Sequence, residues 1–110
     1  MTTKGNTYLE VIQGDTLMLT IRLENIDLST VDKIYFSCSD LNLIEEFEKN
    51  EDDSYKLVVG SNVTKSFIPS TYNYDITINF SDNRVKTIEY CGEINILKKT
   101  NTVDVWAKKK

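Results

Sequence analysis

Residues 71–97 read TYNYDITINF, then SDNR, then VKTIEYCGEINIL, and this stretch decides the fold. In the first arm Tyr72, Tyr74, Ile76, Ile78 and Phe80 alternate with Asn73, Asp75, Thr77 and Asn79. Successive side chains of a strand point to opposite faces, so the arm predicts one apolar face and one polar face. The second arm repeats the pattern and places Ile88, Tyr90, Ile94 and Ile96 on its inward face. Asp82-Asn83 between the arms tolerates positive φ, which predicts a tight two-residue hairpin turn.

The same alternation extends outward on the N-terminal side. Tyr8 to Ile12 reads as a short strand, turned by Gln13-Gly14-Asp15 into Thr16 to Glu24, where Leu17, Leu19, Ile21 and Leu23 face inward. Asn25 to Asp32 is a polar connection with one helical turn at Leu28-Ser29-Thr30. Lys33 to Ser39 buries Ile34, Phe36 and Cys38. Leu41 to Phe47 fits an edge strand or, through Leu43, Ile44 and Phe47, one amphipathic helical turn, the edge strand being favoured by the acidic hairpin loop that follows. An acidic hairpin tip leads on to Ser54 to Val59, with Tyr55, Leu57 and Val59 inward. Asn62 to Lys65 opens a helical turn with Val63 and Phe67 tucked beneath it, and Pro69 ends it. About seven short strands with turn signals between them predict an all-β, two-sheet antiparallel sandwich. The domain runs over residues 1–100 with a flexible lead at 1–6, and 101–110 forms an extended tail.

The totals narrow the function classes. A chain of 110 residues is long enough to bury roughly two-thirds of its unfolded surface without disulfides or metals. No apolar run approaches the ~20 residues of a membrane helix, and the N-terminus lacks a signal-peptide layout, which predicts synthesis in a cytosol. Residues 45–53 (EEFEKNEDD) hold six acidic side chains and one lysine, so the remainder of a chain of net charge −4 sums to +1. That balance argues against nucleic-acid binding, which needs clustered basic residues. Cys38 and Cys91 fall on opposite strand parities and are expected as free thiols.

No catalytic, metal or cofactor set emerges. The chain has no histidine, its four glycines are scattered, and neither cysteine has a basic neighbour to activate it. The acidic run lacks the glycine and the alternating ligand spacing of a calcium loop and reads as a solvated tip. Asp75 lies on the polar parity as a surface carboxylate, and Tyr72 and Tyr74 on the inward parity as core. Val103, Val105 and Trp106 stand as apolar residues in a tail closed by Lys108-Lys109-Lys110. Trp106 reads equally as folding back on its own sandwich or as inserting into a neighbour, tryptophan being enriched at interface hot spots.

The order of motifs carries a resemblance. A strand, Gly14-Asp15-Thr16 and an alternating strand come first, followed by Thr64-x-x-Phe67, Tyr72-x-Tyr74-Asp75-Ile76, Thr87-Ile88 and Gly92-x-Ile94-x-Ile96 before Thr100. From about Tyr8 to Thr100 this resembles the immunoglobulin-like domain of tailed-phage virion proteins, notably the N-terminal domain of baseplate upper proteins. Two departures stand out: Ser70-Thr71 where that family has a glycine before Tyr-x-Tyr-Asp, and Asp82-Asn83 where it has Asp-Gly. The resemblance implies an immunoglobulin-like sandwich and a non-enzymatic structural component of a phage or prophage virion, a baseplate or tail accessory protein. Its implied partners are other virion proteins in a homo-oligomer or larger symmetric assembly, with no nucleic acid and no membrane, and its implied location is the virion, after synthesis in the host cytoplasm. Baseplate members continue into oligomerising and receptor-binding regions, so this chain reads as a small accessory piece. Two other readings remain: a capsid decoration or head-fibre attachment protein, and a carbohydrate-binding module using Tyr72, Tyr90 or Trp106 as a stacking platform.

Overall fold

The computed structural model describes residues 8–99. The expected tail at 101–110, with Val103, Val105 and Trp106, and the lead at 1–6 lie outside them. Eight strands form two sheets. They are β1 (Tyr8–Ile12), β2 (Leu17–Ile21), β3 (Val31–Cys38), β4 (Leu43–Glu46), β5 (Glu48–Lys49), β6 (Tyr55–Val59), β7 (Ser70–Phe80) and β8 (Val85–Leu97). One sheet has the order β1-β8-β7-β3-β4 and the other β2-β6-β5. The inward parities of both sheets meet in one core, with Ile34, Phe36, Tyr74, Ile78 and Ile94 from the larger and Leu57 and Val59 from the smaller.

One pairing departs from an all-antiparallel sandwich. β1 runs parallel to β8, Tyr8 opposite Glu93 through Ile12 opposite Leu97. Parallel neighbours need a long connection, and here the rest of the domain supplies it. β1 cannot hairpin with β2, because the turn at 13–16 sends β2 into the other sheet. Gly14 takes φ +91 in that turn, and its N–H donates to Thr64 Oγ1 at 3.2 Å. Thr64 in turn donates to the Asp15 carbonyl at 2.6 Å. This fully buried hydroxyl pins the short helix α1 (Ser61–Thr64) to the β1–β2 turn. Thr64 therefore occupies the place expected for Val63, which is 41% exposed, while Phe67 is buried as expected.

The acidic run is a crossover rather than a single tip. Glu45 and Glu46 end β4, and Phe47, buried, carries the chain from the larger sheet to the smaller. Glu48 and Lys49 then pair with β6, and only residues 50–54 form the turn. The edge strand expected within Leu41–Phe47 is β4. The hairpin connection also differs. Phe80 N–H donates to the Arg84 carbonyl at 2.8 Å, closing a three-residue Ser81-Asp82-Asn83 loop with Asn83 at φ 72. That loop type ends in a left-handed residue, a conformation asparagine accepts readily.

At the centre Tyr74 stacks on Phe36, ring centroids 4.8 Å apart, and stands opposite Gly92 of β8. A Cβ on residue 92 would lie 2.5 Å from the Tyr74 ring. The ring occupies the space a side chain would need. We expect Gly92→Ala to cost about 1–3 kcal/mol of stability through overpacking, read as a lower urea midpoint. In a Tyr74→Leu background the same substitution should cost much less, because the two residues share one contact.

Candidate functional site

The glycine that admits the Tyr74 ring is followed, going back along β8, by an irregularity. Tyr74 pairs with Gly92, Ile76 with Glu89 and Thr77 with Thr87, so three steps on β7 are matched by five on β8. The two surplus residues fall at two successive register shifts. In the first, a bulge next to Gly92, Cys91 adopts φ 56, a left-handed conformation costing a non-glycine residue about 1–2 kcal/mol. Asp75 offsets part of this by accepting the Cys91 N–H at Oδ1, 3.0 Å away. The carboxylate expected as a plain surface group thus supports the strained backbone.

The bulge changes which way Tyr90 points. Uninterrupted alternation places Tyr90 inward; in the structure it is 69% exposed. Ile88 is half-buried, and Ile94 and Ile96 lie in the core as expected. Outside the larger sheet a row now crosses four strands. Ile44 of β4 pairs with Ser37 of β3, Ser37 pairs with Asp75 of β7, and Asp75 faces the Tyr90–Cys91 bulge. The short side chains of Ser37 and Asp75 lie between Ile44, 70% exposed, and Tyr90. The result is an open trough of about 410 Å³ whose polar rim includes Asp40, Asn42 and Asn73.

The trough is acidic. Asp40 and Asp75 line it, no lysine or arginine does, and neither carboxylate has an ion-pair partner among the described residues. The Tyr90 phenol is held above its ordinary pKa by its hydrogen bond with the Cys91 thiol, by that group's charge when ionised and by the Asp75 carboxylate. Cys38 sits on the core side of the same sheet, and burial pushes its thiol up, with the charges of Asp40 and Asp75 adding to the effect. Both cysteines are free, one buried and one exposed.

A second depression, about 590 Å³, lies between residues 25–30 and the β7–β8 hairpin. Of its two lining cations, Arg84 and Lys86, Arg84 is already engaged with Asp82 at 2.7 Å and lies over the Phe80 ring, 5.1 Å from its centroid. Asp82 and Asp27 are both held below the usual carboxylate range, Asp82 first by the Arg84 N–H and Asp27 by the Ser29 side chain and N–H. These groups satisfy one another, which leaves the trough as the stronger candidate.

The two described tyrosines read as alternative stacking platforms differ in exposure. Tyr72 is half-buried and donates its hydroxyl to the Ile68 carbonyl at 2.6 Å, whereas Tyr90 stands on the outer face. Trp106 lies outside the described residues. The grouping of Ile44, Ser37, Asp75 and Tyr90 was not anticipated from pattern alone. The signal for it was Gly92, since an isolated glycine inside a strand pattern marks a bulge or a close backbone approach, and here it marks both. No cluster of metal-ligating residues occurs among the described residues.

Two outcomes follow from this geometry. Native protein treated with Ellman's reagent should release one thiol equivalent rapidly, from Cys91, and a second only on unfolding, from Cys38. Asp75→Ala should cost about 0.5–1.5 kcal/mol, the net worth of an exposed hydrogen bond whose donor water can take over, while Asp75→Asn, which keeps an oxygen there, should cost less; urea denaturation of the two variants checks this. Among known proteins, no family model matches the chain and no curated protein matches it.

Proposed function

We propose that the chain is an immunoglobulin-like structural component of a phage or prophage virion, a baseplate or tail accessory protein that works by protein–protein contact without catalysis. The observation that carries this reading is the strand arrangement. The third, seventh and eighth strands share one sheet and the second and sixth the other, with connections that pass between sheets as in immunoglobulin-like sandwiches. The motif order from Gly14 to Gly92 supports it as well, since two of its members have structural work. Gly14 makes the left-handed turn to β2, and Gly92 accommodates the tyrosine of Tyr72-x-Tyr74-Asp75.

A sandwich of this kind offers faces and strand edges to its neighbours. The larger sheet presents an acidic trough walled by exposed Ile44 and Tyr90. The arm that engages a neighbour is the segment containing Val103, Val105 and Trp106. Deleting residues 101–110 should abolish incorporation into the particle while leaving the urea midpoint of the isolated domain within measurement error. Normal incorporation of the truncated chain, scored by cryo-EM occupancy or by blotting purified particles, would overturn the role of the arm.

A further inference from the structure

We propose that the trough between Ile44 and Tyr90 is the receptor for the lysine-bearing segment 103–110 of a second copy of this chain. The inference rests on the reading of the chain as an assembly component and names the surface through which it assembles. Charge complementarity carries it. Two carboxylates without an ion-pair partner among the described residues, Asp40 and Asp75, lie in a trough with no basic side chain in its lining, and Lys108-Lys109-Lys110 is the densest basic run in the sequence. The walls suit the rest of the segment. A lysine presents an apolar stem below its ammonium group, which the exposed Ile44 can line while the head reaches Asp75. The exposed Tyr90 ring offers a face to that cation or to Trp106.

The direction of β8 favours a second copy over the chain's own trough. β8 passes the trough at Tyr90–Cys91 and runs on to Leu97, roughly 20 Å further at about 3.3 Å per residue. The strand is heading away from the trough where it ends. Reaching back would require the chain to reverse; meeting a copy placed ahead would not. Such a contact joins two different surfaces of identical chains, so it closes into a ring or propagates along an axis.

Cys91, exposed at the trough wall, supplies the test. A Lys109→Cys variant, oxidised with copper–phenanthroline, should form Cys91-linked dimers and higher species on a non-reducing gel, about tenfold faster than a control bearing Glu51→Cys, because docking raises the local thiol concentration. The product should vanish in a Cys91→Ser background. Its formation should slow several-fold with Asp40→Asn and Asp75→Asn together, and at roughly 0.5 M salt, where exposed charges are screened within a few ångströms. A rate no greater than the control, a purely intramolecular disulfide, or indifference to both carboxylates and salt would each overturn the proposal. Particle incorporation separates its failure from failure of the assembly reading. If the Asp40→Asn, Asp75→Asn protein incorporates normally while the 101–110 deletion does not, the segment is an arm whose receptor is elsewhere; if the deletion also incorporates, the arm itself fails.

Discussion

The larger sheet depends on one aromatic ring lying where a side chain is missing. Tyr74 stacks on Phe36 from β3 and covers Gly92 of β8, so a single contact ties three neighbouring strands at their centre. Stacked aromatic pairs contribute about 0.5–1.5 kcal/mol beyond the area they bury, but the positional effect matters more here. A slip of one residue between β7 and β8 would drive the ring into a Cβ and turn the inward isoleucines toward solvent. Ile76, Ile78, Ile94 and Ile96 reach the core because that register holds.

The same contact shapes the opposite face of the sheet. Next to Gly92, β8 carries more residues than β7 can match, at two successive shifts, and the first is absorbed at Cys91 in a left-handed conformation that Asp75 supports from across the ladder. The bulge rotates Tyr90 outward and leaves Asp75 facing it across a shallow gap. Core packing and the outer trough are therefore two sides of one irregularity. A variant that relaxes the bulge changes both, which is why Asp75→Asn, preserving the acceptor, separates the charge of the trough from its architecture.

Much of this fold is legible in the sequence because period-two alternation is a strong signal wherever one face is buried. It locates β1, β6 and β7 closely and gives the inward residues of β3 and β6, as Ile34, Phe36, Cys38, Tyr55, Leu57 and Val59 show. It fails where a backbone irregularity resets parity. Tyr90 obeys the alternation of β8 on paper and leaves the core because of a positive φ one residue away. The parallel course of β1 is a property of topology, to which the pattern of five residues is blind. Val63 lost its expected place to Thr64 because a hydroxyl can satisfy both the Gly14 amide and the Asp15 carbonyl, and a valine cannot. The trough was hidden for a further reason: its residues come from four strands and share no spacing.

Edge protection bears on how such a domain makes contacts. Open strand edges are templates for uncontrolled pairing, and short length or charge blunts them. β4 has four residues, two of them glutamates, β5 is Glu48–Lys49 alone, and β1 carries Glu10. β2, with Leu17, Met18, Leu19, Thr20 and Ile21, is the one terminal strand of either sheet without a charged side chain. Strand addition is thus discouraged at both edges of the larger sheet and at one edge of the smaller. The β2 edge is the exception, and elsewhere the sheets present side chains on their faces rather than unprotected backbone amides at their edges. On the larger sheet the outer face is both shaped and charged where the bulge lies, so the strained backbone at Cys91 also sets the geometry of the trough.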